Sequence, residues 1–256
     1  MILALDVGNT HIVIGCIEDG KIRNVVRIQT DTGRTEAEYA IKLKQIMELY
    51  GISPRGFEGA IMSSVVPPVT GALLGAVQAL TGCRCMLVGP GMKTGINVRI
   101  EDPASLAGDI LAGSVAAAAC YGAPVIVLDM GTATTMVVVD KNGDYIGGAI
   151  LPGVQTSYAA LSSETALLPD IAIRAPKKCV AKNTVDAMRS GAVFGTAASI
   201  DGMVERMEEE LGYPCQVVAT GGLAQAVTPH CRHHVICDDD LLLKGLWILY
   251  ARNRRA

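Results

Sequence analysis

The stretch MILALDVGNTHIVIG, residues 1–15, decides the fold class of this 256-residue chain. An apolar run reaches a lone carboxylate at Asp6, passes through the small polar residues of DVGNT, and turns apolar again. Two β-strands joined by a tight turn are the expected structure, because turn residues separate two runs of strand-forming residues. The stretch VIVLDMGTATTMVVV, residues 125–139, repeats this design. The sequence therefore predicts an internal duplication.

The rest of the chain alternates short strands with amphipathic helices, and no Ser-, Pro- or charge-rich linker separates the halves. This pattern predicts an α/β fold of two similar domains, residues 1–121 and 122–256, each with a sheet flanked by helices. Thr35 and Glu38 form a capping-box pattern before an apolar stripe of Tyr39, Leu43, Ile46 and Tyr50. Three aspartates, 238–240, precede a final amphipathic helix that contains Trp247.

Composition excludes several classes of protein. The formal net charge of −3 and the pI near 5.8 argue against a nucleic-acid binder, which needs a basic face. No apolar stretch reaches the roughly 18 to 20 residues of a membrane span, and the N-terminus lacks a basic region, so we expect a cytoplasmic protein. The eight scattered cysteines predict reduced thiols. The segment 230–237 is rich in His and Cys but lacks a CxxC partner, which favours a turn and short strand over a metal site.

The two Asp-x-Gly turns indicate phosphate chemistry. Glycine lets a phosphate approach the backbone, backbone N–H groups hold anionic oxygens, and a carboxylate can hold hydrated magnesium. One such turn is common in ordinary hairpins, but two equivalent copies predict that each half holds one end of a triphosphate. A third stretch, VVATGGLA at 217–224, ends a strand in Gly221 and Gly222, where a nucleoside or phosphate could lie against bare backbone. Dinucleotide and P-loop motifs do not occur after any strand.

The chain resembles the type III pantothenate kinases in seven blocks: DVGNT (6–10), SSVVPP (63–68), VGPGMKTGINV (88–98), DMGTATT (129–135), GGAILPG (147–153), KNTVDAMRSG (182–191) and ATGGLA (219–224). The resemblance implies the actin/ribonuclease H-like fold shared by actin, Hsp70 ATPase domains and sugar kinases, and a homodimer. It implies ATP with Mg²⁺ as phosphoryl donor and a monovalent cation, K⁺ or NH₄⁺. The implied reaction phosphorylates the primary hydroxyl of pantothenate, the first step toward coenzyme A.

The resemblance also implies roles for the nucleotide-binding residues. Asp129 matches the ligand of the monovalent cation, and Asp6 is placed to hold magnesium. The matching ATP and phosphate contacts are Asp6, Val7, Gly8, Asn9, Thr10, His11, Ile12, Val13, Gly131, Thr132, Gly221 and Gly222.

On the acceptor side, Asp109 matches the catalytic aspartate, and a base at this position could accept the proton of the substrate hydroxyl. The matching substrate contacts are Ile100, Ala107, Gly108, Asp109, Ile110 and Thr184. Thr184 would equally suit the N-cap of the following helix. The chain departs from the family where Ile100 replaces a tyrosine, Ala107-Gly108 replaces Gly-Ala, and Ile110 replaces an arginine.

These departures leave two hypotheses. The first is a pantothenate kinase with Asp109 as base. The second is a divergent paralogue that phosphorylates another acceptor or serves as a nucleotide-binding regulatory subunit, for instance in a heteromer with a paralogue. Ile100 and Ile110 motivate the second hypothesis, because an isoleucine supplies neither charge nor hydrogen-bond donors.

Overall fold

The computed structural model describes residues 1–254, which form two compact units. The first unit contains Met1–Ile96, Glu101–Ala116 and the residues from Leu241 onward, and the second contains Asn97–Ile100 and Ala117–Asp240. This division differs from the predicted boundary at residue 121 in three places. The segment Asn97–Ile100 belongs to the second unit, the second unit resumes at Ala117, and the last helix belongs to the first.

Eleven strands and eight α-helices make up the described chain. The strands are β1 (Ile2–Val7), β2 (His11–Glu18), β3 (Lys21–Gln29), β4 (Gly59–Ser64), β5 (Cys85–Leu87), β6 (Asn97–Val98), β7 (Val125–Met130), β8 (Ala133–Val139), β9 (Asp144–Pro152), β10 (Gln216–Thr220) and β11 (Val235–Cys237). The helices are α1 (Glu36–Leu49), α2 (Pro67–Thr81), α3 (Gly108–Tyr121), α4 (Val154–Ser163), α5 (Thr184–Ser190), α6 (Thr196–Leu211), α7 (Ala224–Val227) and α8 (Leu241–Asn253).

The two sheets share one topology, which confirms the predicted duplication and the mixed sheets. The first sheet has the order β3-β2-β1-β4-β5, with antiparallel pairing from β1 to β3 and parallel pairing from β1 to β5. The second sheet repeats this arrangement as β9-β8-β7-β10-β11 and adds β6 in parallel beside β9. In each sheet, an Asp-x-Gly turn joins the central strand to its antiparallel neighbour.

Helix α1 illustrates how local sequence positions the first core. The predicted capping box is present, since the Thr35 hydroxyl accepts from the Glu38 backbone and Glu38 accepts from the Thr35 backbone at 2.7 Å. Tyr39 and Leu43 are buried as predicted. The prediction was wrong for Tyr50, which follows the helix and is 48% exposed, because Met47 occupies the next buried position.

The final helix packs on the first sheet, as its apolar face requires. Leu241, Leu243, Leu246 and Leu249 are buried, and a Cβ on Gly15 of β2 would lie 2.9 Å from the Leu243 side chain. Trp247 lies in the same helix, as predicted, against Gly20. Burial of this leucine face explains why α8 belongs to the first unit although it ends the sequence.

The state of the cysteines agrees with the compositional analysis. All eight cysteines are free thiols, as predicted. Burial raises the pKa of the Cys16 thiol to about 11 and that of Cys85 to about 12, so both stay protonated at neutral pH. Within residues 1–254, every helix is too short or too polar to cross a membrane.

The His- and Cys-rich segment 230–237 contains a turn and the short strand β11, as predicted. The Asp201 carboxylate of α6 holds it in place. This carboxylate accepts hydrogen bonds from the backbone N–H of Arg232 at 2.8 Å, the backbone N–H of His233 at 3.0 Å, and Nδ1 of His233 at 2.9 Å. Burial alone would raise the pKa of Asp201, but these donors together hold the pKa below its usual range.

We expect Asp201→Ala to lower the free energy of unfolding by about 2 to 3 kcal/mol at pH 7, because two backbone donors lose a charged acceptor. This stabilisation is present above about pH 4, the ordinary pKa of aspartate, and is lost as pH falls through the lowered pKa of the folded state. Urea unfolding of wild type and variant tests the loss. Glu209→Ala, at an exposed position of the same helix, is the control. Equal losses in the two variants would contradict the proposed role of Asp201.

Candidate active site

The predicted first phosphate loop joins β1 to β2 and is held by hydrogen bonds from Thr30, which follows β3. The Gly8 N–H donates to the His11 carbonyl at 3.0 Å, which closes the turn. The Thr30 hydroxyl donates to the Gly8 carbonyl at 2.6 Å, and the Thr30 N–H donates to the Thr10 carbonyl at 3.0 Å. Asp6 is buried at the base of the turn, whereas Asn9 and Thr10 are exposed at its tip. Hydrogen bonds from Thr30 therefore fix the conformation of the loop, while its tip at Asn9 and Thr10 is exposed and accessible to a ligand.

The predicted second phosphate loop joins β7 to β8 and is held by the start of α4. The Gly131 N–H donates to the Ala133 carbonyl at 3.0 Å, and the Thr156 hydroxyl donates to the Thr132 carbonyl at 2.9 Å. Gly153 lies so close that an added Cβ would be 2.6 Å from the Gly131 carbonyl oxygen. The GGAILPG block thus has a structural reason for its last glycine, since a side chain there would displace the loop.

The Gly-Gly turn after β10 lies beside this second loop. Thr220 and Asp129 are register partners on the parallel strands β10 and β7. Gly221 has a φ of +96°, and an added Cβ would lie 2.7 Å from the Met130 backbone. The second unit therefore brings Asp129 and Gly221 together at the carboxyl ends of parallel strands, where ligands bind in open α/β sheets.

At the carboxyl ends of the parallel strands in the first sheet, the end of β1, which carries Asp6, lies near the start of α3, which carries Asp109. Asp6 and Ser63 are register partners on the parallel strands β1 and β4, so their side chains leave the same face of the sheet. Helix α3 begins against this face, since a Cβ on Gly108 would lie 3.1 Å from Ser63 Oγ. Asp109 follows directly in the first turn of α3. The predicted base, Asp109, and the predicted magnesium ligand, Asp6, thus both lie at the carboxyl ends of the parallel strands in the first sheet.

Asp109 lies in an environment suited to proton transfer. Burial raises the pKa of its carboxyl above the usual range, although backbone donors act in the opposite direction. One of these donors is the Ile110 N–H, which lies 2.7 Å from Asp109 Oδ1. A carboxylate with a raised pKa is a stronger base than an exposed aspartate.

The remaining acceptor-side residues are divided between the units. Ala107, Gly108 and Ile110 flank Asp109 in the first unit, and Ile110 is half-buried. Ile100 lies in the second unit. A Cβ added at Gly147 of β9 would be 3.8 Å from Ile100 Cγ2, so the two residues are neighbours. Both positions therefore carry apolar side chains, whereas the family resemblance implies a tyrosine and an arginine there.

Thr184 is exposed at the start of α5, also in the second unit. Its interpretation as the N-cap was wrong. The cap is Asn183, whose side chain accepts from the Asp186 N–H at 2.9 Å. Asparagine caps a helix at least as well as threonine, and Asn183 stands one residue earlier, so Thr184 becomes the first helical residue. Its side chain is not needed for capping.

The protein side chains around these loops offer few ligands for a metal ion. Within residues 1–254, no group of three or more His, Cys, Asp or Glu side chains could hold a metal ion. Mg²⁺ in kinases is commonly bound by one or two carboxylates together with substrate phosphates and water. A single buried carboxylate such as Asp6, below an exposed turn, fits that pattern.

Sequence reasoning missed Ser63 as a candidate site residue, although it lies in the recognised block SSVVPP. Its hydroxyl is buried at 1% exposure and reaches the start of α3. The signal was weak because serine in a strand is usually structural. Only the register of β1 with β4 and the packing of Gly108 reveal its position.

Comparison with solved structures confirms the fold. The chain matches a candidate 2-dehydro-3-deoxygalactonokinase from Sinorhizobium meliloti with a TM-score of 0.60 and 12% identity, covering 100% of this chain and 98% of that one. A candidate Baf family transcriptional activator from Campylobacter jejuni gives 0.59 and 19%, covering 98% of both chains. A polyphosphate/ATP-glucomannokinase from Arthrobacter sp. gives 0.52 and 14%, covering 99% of both. Such identities show the sugar-kinase and actin-like fold alone.

The family comparison is more specific. A model of the type III pantothenate kinases matches residues 2–206. This range includes both phosphate loops, Asp109 and Thr184, and it ends before Gly221 and Gly222. Because the match extends over more than half of the sequence, the chain belongs to the type III pantothenate kinase family and is a kinase.

Proposed function

We propose that this protein transfers the γ-phosphoryl group of ATP to the primary hydroxyl of pantothenate, forming 4'-phosphopantothenate on the route to coenzyme A. The observation that carries the proposal is the placement of Asp109. A half-buried carboxylate with a raised pKa stands at the same sheet edge as the phosphate-loop residue Asp6, in a member of this family.

The chain's own residues supply positioning and proton acceptance. Phosphoryl transfer needs an acceptor oxygen in line with the leaving group and little covalent chemistry from the protein. Asp109 orients the acceptor hydroxyl and takes its proton as the oxygen attacks. Asn9-Thr10 in the first loop and Thr132 in the second each carry backbone N–H groups and hydroxyls that can bind phosphate oxygens. Asp6 would hold Mg²⁺, which would supply positive charge to the phosphates.

We further propose that Asp129 holds the monovalent cation, K⁺ or NH₄⁺. Its position supports this role, since Asp129 is half-buried at the end of β7 and lies beside the Gly221 turn. A singly charged ion would there compensate part of the phosphate charge. The family resemblance also supports a homodimer, which light scattering of the purified protein would test.

The apolar acceptor side favours a second candidate function. An arginine at position 110 could pair with the pantothenate carboxylate, whereas Ile110 cannot, and loss of such a contact costs on the order of 2 to 5 kcal/mol in binding. Phosphorylation of a different acceptor, or nucleotide binding as one subunit of a heteromer, is consistent with Ile100 and Ile110. ATP binding without pantothenate-dependent turnover would favour this candidate.

The proposed function is tested by ADP release from Mg²⁺-ATP with and without pantothenate, in potassium and then in sodium buffer. We expect pantothenate-dependent turnover that is stronger in potassium. Asp129→Asn should remove the difference between the two buffers, because the amide lacks the charge that holds the cation. Demonstrable ATP binding with no pantothenate-dependent ADP in either buffer would contradict the proposed acceptor.

A further inference from the structure

Ser63 carries a buried polar group that the fold itself does not use. Within residues 1–254, three buried side-chain atoms lack a hydrogen-bond partner: Ser63 Oγ, Thr134 Oγ1 and Arg189 Nε. Ser63 is the most buried of these residues, at 1% exposure. Leaving a buried hydroxyl unpaired costs free energy, so each such group requires an explanation.

The neighbouring hydroxyl of Ser64 shows the ordinary structural alternative. Successive side chains of a strand point to opposite faces, so Ser64 faces away from Ser63. The Ser64 hydroxyl is 2.7 Å from the hydroxyl of Thr70 in α2, and it also accepts from the Val66 N–H at 3.3 Å. One serine of the pair thus belongs to the hydrogen-bonded core. The other faces Asp6 and the start of α3 without a partner.

The surroundings of Ser63 identify the group that it can serve. On its own face of the sheet, the carboxylate of Asp6 extends from the neighbouring register position. From the helix packed on this face, Gly108 lies next to Ser63, since a Cβ added at Gly108 would be 3.1 Å from Ser63 Oγ. Asp109 is the next residue, and the donors to its carboxylate are its own backbone N–H and that of Ile110. An ionised carboxylate accepts about four hydrogen bonds, so Asp109 retains acceptor capacity.

We propose that Ser63 is a positioning residue for Asp109, whose carboxylate it orients by donating a hydrogen bond through one buried water. The two groups do not bond directly, and a shared water can satisfy a buried hydroxyl nearly as well as a direct bond. A water held by Ser63 and Asp109 prevents the carboxylate from turning away from the acceptor hydroxyl. This inference rests on the proposed function of Asp109 as base.

The first test is independent of turnover. In protein labelled with carbon-13 in the aspartate carboxyl groups, the Asp109 signal is identified by its loss in Asp109→Asn. At constant pH and without nucleotide, Ser63→Ala should displace this signal, because the water that bonds the carboxylate loses the hydroxyl that holds it in place. Ser64→Ala, the same chemical change on the opposite face, should leave it in place. An Asp109 signal at the same position in wild type and Ser63→Ala would overturn the inference.

Kinetics and stability provide the second test. Ser63→Ala should lower kcat about tenfold with KM for pantothenate changed less than about twofold, because the water that orients the base loses its bond to Ser63. Ser64→Ala should instead keep kcat and lower the unfolding midpoint by about 2 to 4 °C through loss of the bond to Thr70. Unchanged kcat in Ser63→Ala would also overturn the inference. Absence of turnover in wild type, with the Asp109 signal displaced, would reject the proposed function and retain the link from Ser63 to Asp109.

Discussion

Asp109→Asn is expected to lower kcat with pantothenate by about 100- to 10,000-fold, the usual contribution of a general base. The amide keeps the shape of the side chain but cannot accept the proton of the acceptor hydroxyl. ATP binding, measured by calorimetry, should be retained, because the variant leaves both phosphate loops intact. Steady-state ADP release gives kcat.

The matched control is Asp102→Asn, in the segment just before α3. Asp102 is exposed and caps a short turn by accepting from the Ala104 N–H at 3.1 Å, which asparagine can also do. This variant should therefore have wild-type kcat. Equal rates for Asp109→Asn and wild type would exclude Asp109 as the base.

The pH dependence of the wild-type enzyme follows from the same carboxyl. Because the base must be ionised, kcat falls as pH decreases through the pKa of Asp109. Burial raises this pKa, so the fall should occur above about pH 4, the ordinary value for aspartate. The raised pKa also means that ionised Asp109 lowers the stability of the folded state at neutral pH. Asp109→Asn should thus raise the unfolding midpoint while it removes activity.

Gly221→Ala is expected to abolish measurable ATP binding. An added Cβ would lie 2.7 Å from the Met130 backbone, and Gly221 also has a positive φ of +96°. The added Cβ fits only if the Gly221 turn and the adjoining end of β7 move apart. This movement displaces the predicted second phosphate loop, which follows Asp129. Calorimetric titration with Mg²⁺-ATP measures the loss.

Gly143→Ala separates the clash from the strain of a positive φ. Gly143 has a φ of +80°, and a Cβ there would meet nothing within 4 Å. It should lose some stability but keep wild-type ATP affinity. ATP binding that is equally weak in both variants would show that backbone strain, rather than displacement of the loop, is responsible.

The duplicated fold could be predicted because its main determinants are local. Both Asp-x-Gly turns, the capping box at Thr35 and the leucines of the last helix are patterns within short windows, and each forms the expected element. The resemblance in seven blocks then indicated the family. The assignment of α8 to the first unit was not predictable in this way, because it depends on glycines such as Gly15 that are distant in sequence.

The site could be predicted only in part for a similar reason. Asp109 stood in a recognisable block, but its position at the same sheet edge as Asp6 depends on the register of β1 with β4. The Asn183 cap was missed because two adjacent residues were both suitable caps. Ser63 gave no signal of its own, since an unpaired hydroxyl can be recognised only when every neighbouring donor and acceptor is known.

The central claim is most directly tested by identifying the phosphorylated product. Wild-type protein is incubated with Mg²⁺-ATP and pantothenate in potassium buffer, and the reaction is analysed by mass spectrometry alongside ADP release. We predict 4'-phosphopantothenate in amounts equal to the ADP formed, and neither product from Asp109→Asn above background. ADP formed without phosphorylated pantothenate, or ATP bound without either product, would contradict the assignment of pantothenate as acceptor.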